Sequence, residues 1–264
     1  MSDQTLHIRD EGTGRPLVMV HGWACPGDFF QAQTDAFRSR ARCIVPDLPG
    51  HGKTADRLPL TIDSAADAIQ AYLVEHDLKD VVLCGWSMGA LVVYSLLERH
   101  GAERISSVVA IDVSPKIVNE ADWPHGTQNG LTKEVNALVL ENMIAQWAVF
   151  PEQVARQMFA TDRPADPNLL AFAQSEIARG DPALLKPMWA SLTDQDFRAF
   201  LRDFPVPLHL AVGLHSQLYG PGMHRWYEET VPDLHLHEFA NSGHSPHVEE
   251  PERFNRLLAG LLEA

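Results

Sequence analysis

A serine set between two glycines where a buried strand gives way to a helix leaves a chain few ways to fold. Residues Gly85-Trp86-Ser87-Met88-Gly89 spell G-x-S-x-G, after the apolar run at 81–84 and before a helical pattern that begins at Met88. A sharp strand-to-helix turn needs residues without bulk at Gly85 and Gly89, since larger side chains would strike neighbouring backbone. The same turn lifts the Ser87 hydroxyl above a sheet, at a helix N-terminus that favours developing negative charge.

The rest of the chain agrees with such a turn. Short apolar or β-branched runs at 5–8, 16–20, 42–45, 80–84 and 105–111 alternate with helical stretches at 28–37, 62–75 and 88–100. Strand, turn and helix in repetition predict an α/β protein with a largely parallel sheet flanked by helices. After Asp112-Val113-Ser114-Pro115 the strand character stops. From 116 to 204 only helical segments are visible, punctuated by Pro124, Pro151, Pro164, Pro167, Pro182 and Pro187. Strands resume at 207–212 and 234–239, and a closing helix at 251–262 starts on proline, where a missing N–H does no harm. The expected organisation is a core of residues 1–115 and 205–264 interrupted by a helical cap, 116–204.

Charge and cysteine content exclude several function classes. The 264 residues carry 21 Lys and Arg against 35 Asp and Glu, a formal charge of −14 that repels nucleic acid and anionic membranes. Cys25, Cys43 and Cys84 are odd in number and lack CxxC spacing, so neither a disulfide framework nor a zinc site is expected. The opening residues show no basic segment followed by an apolar one, and the run 81–97, broken by Gly85, Ser87, Gly89 and Ser95, is too short to span a bilayer. These features predict a cytoplasmic protein with no membrane partner. Oligomeric state is not legible.

A serine needs a base, and in this chain order the base comes last. Asn241-Ser242-Gly243-His244 follows the final strand, so His244 can reach back over the sheet. His247 is the nearest competitor, with the alternative of a surface or helix-start histidine. The strand at 16–20 runs into His21-Gly22-Trp23, which sets the Trp23 amide beside that of Met88, two donors for an oxyanion. Trp23 and Trp86 are expected to wall the pocket, and Trp123, Trp147, Phe150, Met158, Phe159 and Trp189 of the cap to supply its roof. His235 and His237 alternate on one strand without a third ligand and read as surface histidines. Cys25 and Cys84 read as packing residues.

With His21-Gly22-Trp23, Asp47-Leu48-Pro49-Gly50-His51-Gly52, the Ser87 turn and Gly243-His244 in this order, the chain resembles the α/β-hydrolases over essentially its full length. The likeness implies that Asp47 organises a turn. It also exposes a break. Most relatives place an Asp three residues after the Gly ending the penultimate strand, where this chain has Gly213-Leu214-His215-Ser216. Some relatives carry the acid one strand earlier, and Asp112 stands there at the end of an apolar run. A desolvated carboxylate needs a partner, and His244 is the obvious one. Ser216 is expected to support the acid or the imidazole.

The resemblance implies a serine hydrolase acting on carboxylic esters of small to medium acyl substrates, with no cofactor and no metal. Haloalkane dehalogenases and epoxide hydrolases of this fold use aspartate where Ser87 stands. Gly85-Trp86-Ser87, His21-Gly22-Trp23 and Asp122-Trp123-Pro124 further resemble pimeloyl-carrier-protein methyl ester esterases, whose partner is an acidic acyl carrier protein. Residues 113–205 hold eight basic and twelve acidic side chains, which disfavours that docking. Lactonase, C–C bond hydrolysis, cofactor-free perhydrolase or haloperoxidase activity, and a small-ligand receptor of the same fold, are the remaining alternatives.

Overall fold

A computed structural model describes residues 5–263. Residues 1–4, on which the expected lack of a leader partly rests, lie outside the described residues. Seven strands, β1 (His7–Glu11), β2 (Arg15–Val20), β3 (Ala41–Asp47), β4 (Val81–Trp86), β5 (Ile105–Ile111), β6 (Leu208–Gly213) and β7 (Leu234–Phe239), form one sheet in the order β1-β3-β2-β4-β5-β6-β7. Only β1 runs antiparallel to its neighbour; the other pairs are parallel. The first strand lies later than the sequence suggests, because pairing with β3 recruits the polar stretch through Glu11.

The helices are α1 (Gln31–Phe37), α2 (Ile62–Glu75), α3 (Met88–His100), α4 (Lys133–Asn142), α5 (Phe150–Gln157), α6 (Pro167–Ala178), α7 (Pro182–Thr193), α8 (Pro221–Thr230), α9 (Pro246–Glu249) and α10 (Pro251–Glu263). The step from β2 to β3 goes one way across the sheet, and the steps to β4 and β5 go the other. Right-handed crossovers therefore put α1 on one face and α2 and α3 on the opposite one. β4 lies between β2 and β5 with all six residues buried, which explains why its sequence is a continuous apolar run rather than an alternating one.

Between β5 and β6 the described residues form helices and turns, with one isolated bridge from Glu120 to Trp123. Several prolines noted in the sequence are helix starts. Pro167 and Pro182 open α6 and α7, and the preceding Asp166 and Asp181 accept hydrogen bonds from the first free amides. Pro187 lies inside α7. α4 fully buries none of its residues and leaves Val135 and Leu138 exposed. No helix of the described residues is long and apolar enough to cross a membrane.

Strand register brings the functional loops to one edge. Val20 pairs with Gly85, Trp86 with Ile111, Ile111 with Ala211, and Gly213 with Phe239. Residues 21–24, 87, 112, 214–219 and 240–245 therefore all leave the sheet at its carboxyl end, where open α/β sheets place their ligands.

Candidate active site

Ser87 occupies a strained turn. Its φ of 53° and ψ of −117° lie outside the regions L-residues prefer, a strain of about 1–3 kcal/mol that persists only where surroundings enforce it. The enforcement is visible at the flanking glycines. A Cβ on Gly89 would come within 2.1 Å of the Val20 carbonyl oxygen, and one on Gly85 within 2.6 Å of Ala90 backbone. Two further non-glycine residues at this edge have positive φ, Ala24 at 60° and Asp112 at 41°.

Asp112 is completely buried at the tip of β5. Its Oδ2 accepts from His244 Nδ1 at 2.8 Å and from Ser216 Oγ at 2.7 Å. The Ser216 hydroxyl in turn accepts from the Leu218 and Tyr219 amides at 3.2 and 3.3 Å, so the loop after β6 is folded around it. The structure thus joins the three residues singled out where the sequence departs from the usual pattern. His244 is 5% exposed, and the Trp86 indole donates to its carbonyl at 2.8 Å, tying the histidine loop to the residue before Ser87. Ser87 and His244 line the same cavity.

The turn after β2 is held by two neutral histidines. His21 Nδ1 donates to the Gly22 carbonyl while its Nε2 accepts from the Leu48 amide; His51 Nδ1 donates to Pro49 and its Nε2 accepts from the Ala24 amide. Burial pushes His21 down and His51 to about 3, so both keep the single proton these bonds require. Asp47 accepts from the Lys53 and Gly27 amides and pairs with His7, an organising contact for the same region. Among the described residues no hydrogen bond consumes the Trp23 or Met88 amide, leaving both donors available at this edge.

The cavity measures about 270 Å³. Of the five tryptophans assigned to it, Trp23, Trp86 and Trp189 line it, and Trp123 and Trp147 do not. Trp123 packs edge-on against Trp226 beneath the Arg198 guanidinium and borders a separate surface groove. Trp147 stands behind the wall, edge-on to Trp23 and stacked on Phe150. Phe150 and Met158, also expected of the cap, line it, Phe159 does not, and Leu218 and Tyr219 join them; Tyr219, whose ring centre is 5.8 Å from that of His244, was legible only as a neighbour of Ser216. Apart from His244, the lining contains no titratable base or carboxylate.

His247 is not a surface histidine. It starts α9 fully buried between Phe30 and Trp86, where burial and the nearby His244 push it down to about 3. His235 is exposed, but His237 is half-buried and meets His209, which the sequence did not single out, at 3.0 Å. Among the described residues no group of three or more His, Cys, Asp or Glu is arranged to hold a metal ion. Burial pushes the Cys25 and Cys84 thiols up, which keeps them protonated and unreactive.

Comparison with known proteins agrees with this architecture. A curated pimeloyl-[acyl-carrier protein] methyl ester esterase of Chromobacterium violaceum is 30% identical over 98% of this chain and 98% of its own length. One from Nitrosomonas europaea is 28% identical over 95% of this chain and 96% of its own. Among solved structures, an esterase from Exiguobacterium antarcticum superposes with a TM-score of 0.90 at 22% identity, covering 98% of this chain and 96% of that one. A bromoperoxidase from Bacillus anthracis gives 0.89 at 22%, covering 98% and 95%. Residues 17–257 match the alpha/beta hydrolase family, and with a nucleophile-type turn, a buried Asp–His pair and a shared cavity at one sheet edge, the chain belongs to that family.

Proposed function

We propose that this chain is a serine hydrolase of carboxylic esters with small to medium acyl groups. The observation that carries the proposal is the buried pair between Asp112 and His244 opening onto the cavity that Ser87 lines. His244 Nε2 takes the Ser87 proton as Oγ bonds to the ester carbonyl carbon. The Trp23 and Met88 amides hold the oxyanion, and Asp112 holds the imidazolium. Collapse of the tetrahedral intermediate breaks the bond to the alcohol, which leaves with the proton from His244. Water, deprotonated by the same nitrogen, then adds to the acyl-enzyme; the acid is released and Ser87 regains its proton. Residues 116–204 act as the cap roofing the cavity.

The test is turnover of a chromogenic short-chain ester. Ser87→Ala should lose at least about a thousandfold in kcat while folding as the parent does; retained turnover would remove Ser87 from the mechanism. A second reading, cleavage of a methyl ester on an acyl carrier protein, is favoured by relatives of that name at 30% and 28% identity. It predicts that a carrier-bound methyl ester is hydrolysed far better than the same ester free in solution.

A further inference from the structure

Glu249, the last residue of α9, neither touches the triad nor lines the cavity, yet it joins two parts that must meet over a substrate. Its Oε2 accepts from the amide of Gly243, the residue before His244, at 2.7 Å. Its Oε1 accepts at 2.8 Å from the amide of Ala160, in the segment between α5 and α6. These backbones already lie in contact. A Cβ on Gly243 would come within 2.4 Å of the Phe159 carbonyl carbon and 2.6 Å of the Ala160 nitrogen, so only glycine permits the approach. The same segment is tied to the Ser216 loop: the Thr161 amide donates to the His215 carbonyl at 3.2 Å, and Gln217 Nε2 to the Phe159 carbonyl at 3.4 Å as well as to that of Arg156, inside α5, at 2.9 Å.

We propose that Glu249 is a positioning residue of the hydrolytic site, its carboxylate clamping Ala160 to Gly243 and thereby holding His244 in reach of Ser87. The proposal rests on the serine-hydrolase reading. A carboxylate is suited to the task because it offers only acceptors, one oxygen to each amide, and charge strengthens both bonds. Burial pushes this carboxyl up to about 7 against the pull of the Ala160, Gly243 and Ser245 backbone. Glu250 beside it raises it further. Arg163, paired with Asp162, feels its charge from the segment before α6, where His215 also meets Asp162; on the other side stand His247, which stays neutral, and His244. When Glu249 takes up a proton, one oxygen becomes a hydroxyl and the clamp slackens.

The experiment measures kcat and KM for a short-chain chromogenic ester from about pH 5.5 to 9, using the full chain, Glu249→Gln and Ser87→Ala, with the folded fraction of each from unfolding curves. In Glu249→Gln an amide NH₂ must face a backbone N–H. The kcat should fall by about tenfold with KM within about twofold. The ratio of parental to variant kcat should shrink as pH falls, since a protonated Glu249 has already released the clamp. Should that variant not fold, Glu249→Asp, which keeps the charge on a side chain too short to reach both amides, takes its place, and parental kcat there overturns the clamp. So does a variant with parental kcat and acid limb, or a loss that merely tracks the unfolded fraction. An active Ser87→Ala would instead overturn the hydrolase reading, whereas an inactive Ser87→Ala beside a parental Glu249→Gln removes the clamp alone.

Discussion

Replacing Asp112 by Asn tests whether the acid sits where the usual pattern does not put it. Asp112 Oδ2 accepts from both His244 Nδ1 and Ser216 Oγ. An amide that turns its NH₂ toward His244 forces the ring to accept at Nδ1 and carry its proton on Nε2, where it cannot take one from Ser87. If it turns its oxygen that way instead, the hydrogen bond survives but the charge that stabilises imidazolium is gone. In Ser-His-Asp sites this change costs about 10⁴ in kcat, or about 5.5 kcal/mol at 1.36 kcal/mol per decade. Ser216→Ala removes one of two bonds to the carboxylate but leaves the one from His244, and frees the Leu218 and Tyr219 amides; a hydrogen bond to a charged group contributes about 1.5–3 kcal/mol to stability. Only part of that reaches the transition state, so kcat should fall by about tenfold or less. Moving the carboxylate, in the double variant Asp112→Asn with Ser216→Asp, should restore at least about tenfold over Asp112→Asn. Steady-state kinetics on a chromogenic ester, with unfolding midpoints as control, separates these outcomes. A Ser216→Ala loss equal to or larger than that of Asp112→Asn would refute the assignment.

Three further expectations concern the surroundings. His51→Ala removes the acceptor for the Ala24 amide, so kcat should drop by about tenfold while KM holds; parental kcat would free this histidine from the oxyanion turn. Trp189→Ala opens the cavity from the cap side and should shift the preference in kcat/KM toward longer acyl chains by about tenfold per added methylene or two, read from an acyl-length series; an unchanged series would place the acyl group elsewhere. His51 and His247, held at about 3 in the fold against an ordinary value near 6.5, bind protons only after unfolding, so their contribution to stability is full above pH 6.5 and lost as pH falls toward 3. The Glu249 carboxyl, raised to about 7, works in the opposite direction, gaining stability as pH falls from 7 to its unfolded value. The two histidines should prevail, lowering the unfolding midpoint between pH 7 and 5, and His247→Gln should flatten that slope.

The sheet and the Ser87 turn were legible because the inner strands, β4 above all, carry apolar runs, and because steric demands at Gly85 and Gly89 are local; the polar β1 was placed too early for want of such a run. The pairing of Asp112 with His244 was legible for a different reason. A carboxylate closing the run 105–111 is costly unless paired, and the missing Asp at 216 left His244 in need of it. The roof was not legible to the same degree. Trp123 and Trp147 have the right composition for a wall, but the direction of a side chain on a short cap segment is fixed by tertiary neighbours such as Trp226 and Phe150. α8 was overlooked since its apolar positions, Met223 and Tyr227, are few and Pro221 and Gly222 at its start read as a turn. Glu249 escaped notice because its partners are backbone amides, which a sequence does not display.

The bond from the Trp86 indole to the His244 carbonyl gives Ser87 and His244, the two ends of the proposed proton transfer, a common mechanical footing. Trp86 forms part of the cavity wall and is also a strut, so reshaping the pocket there would alter the spacing of nucleophile and base at the same time. Trp189 and Phe150 face the same space from the cap without that second duty. Efforts to redirect selectivity therefore have a side on which to work: Trp189 and Phe150 overhead pack on Trp23 but do not hold the histidine loop, whereas a change at the tryptophan underfoot would move the proposed nucleophile and base together.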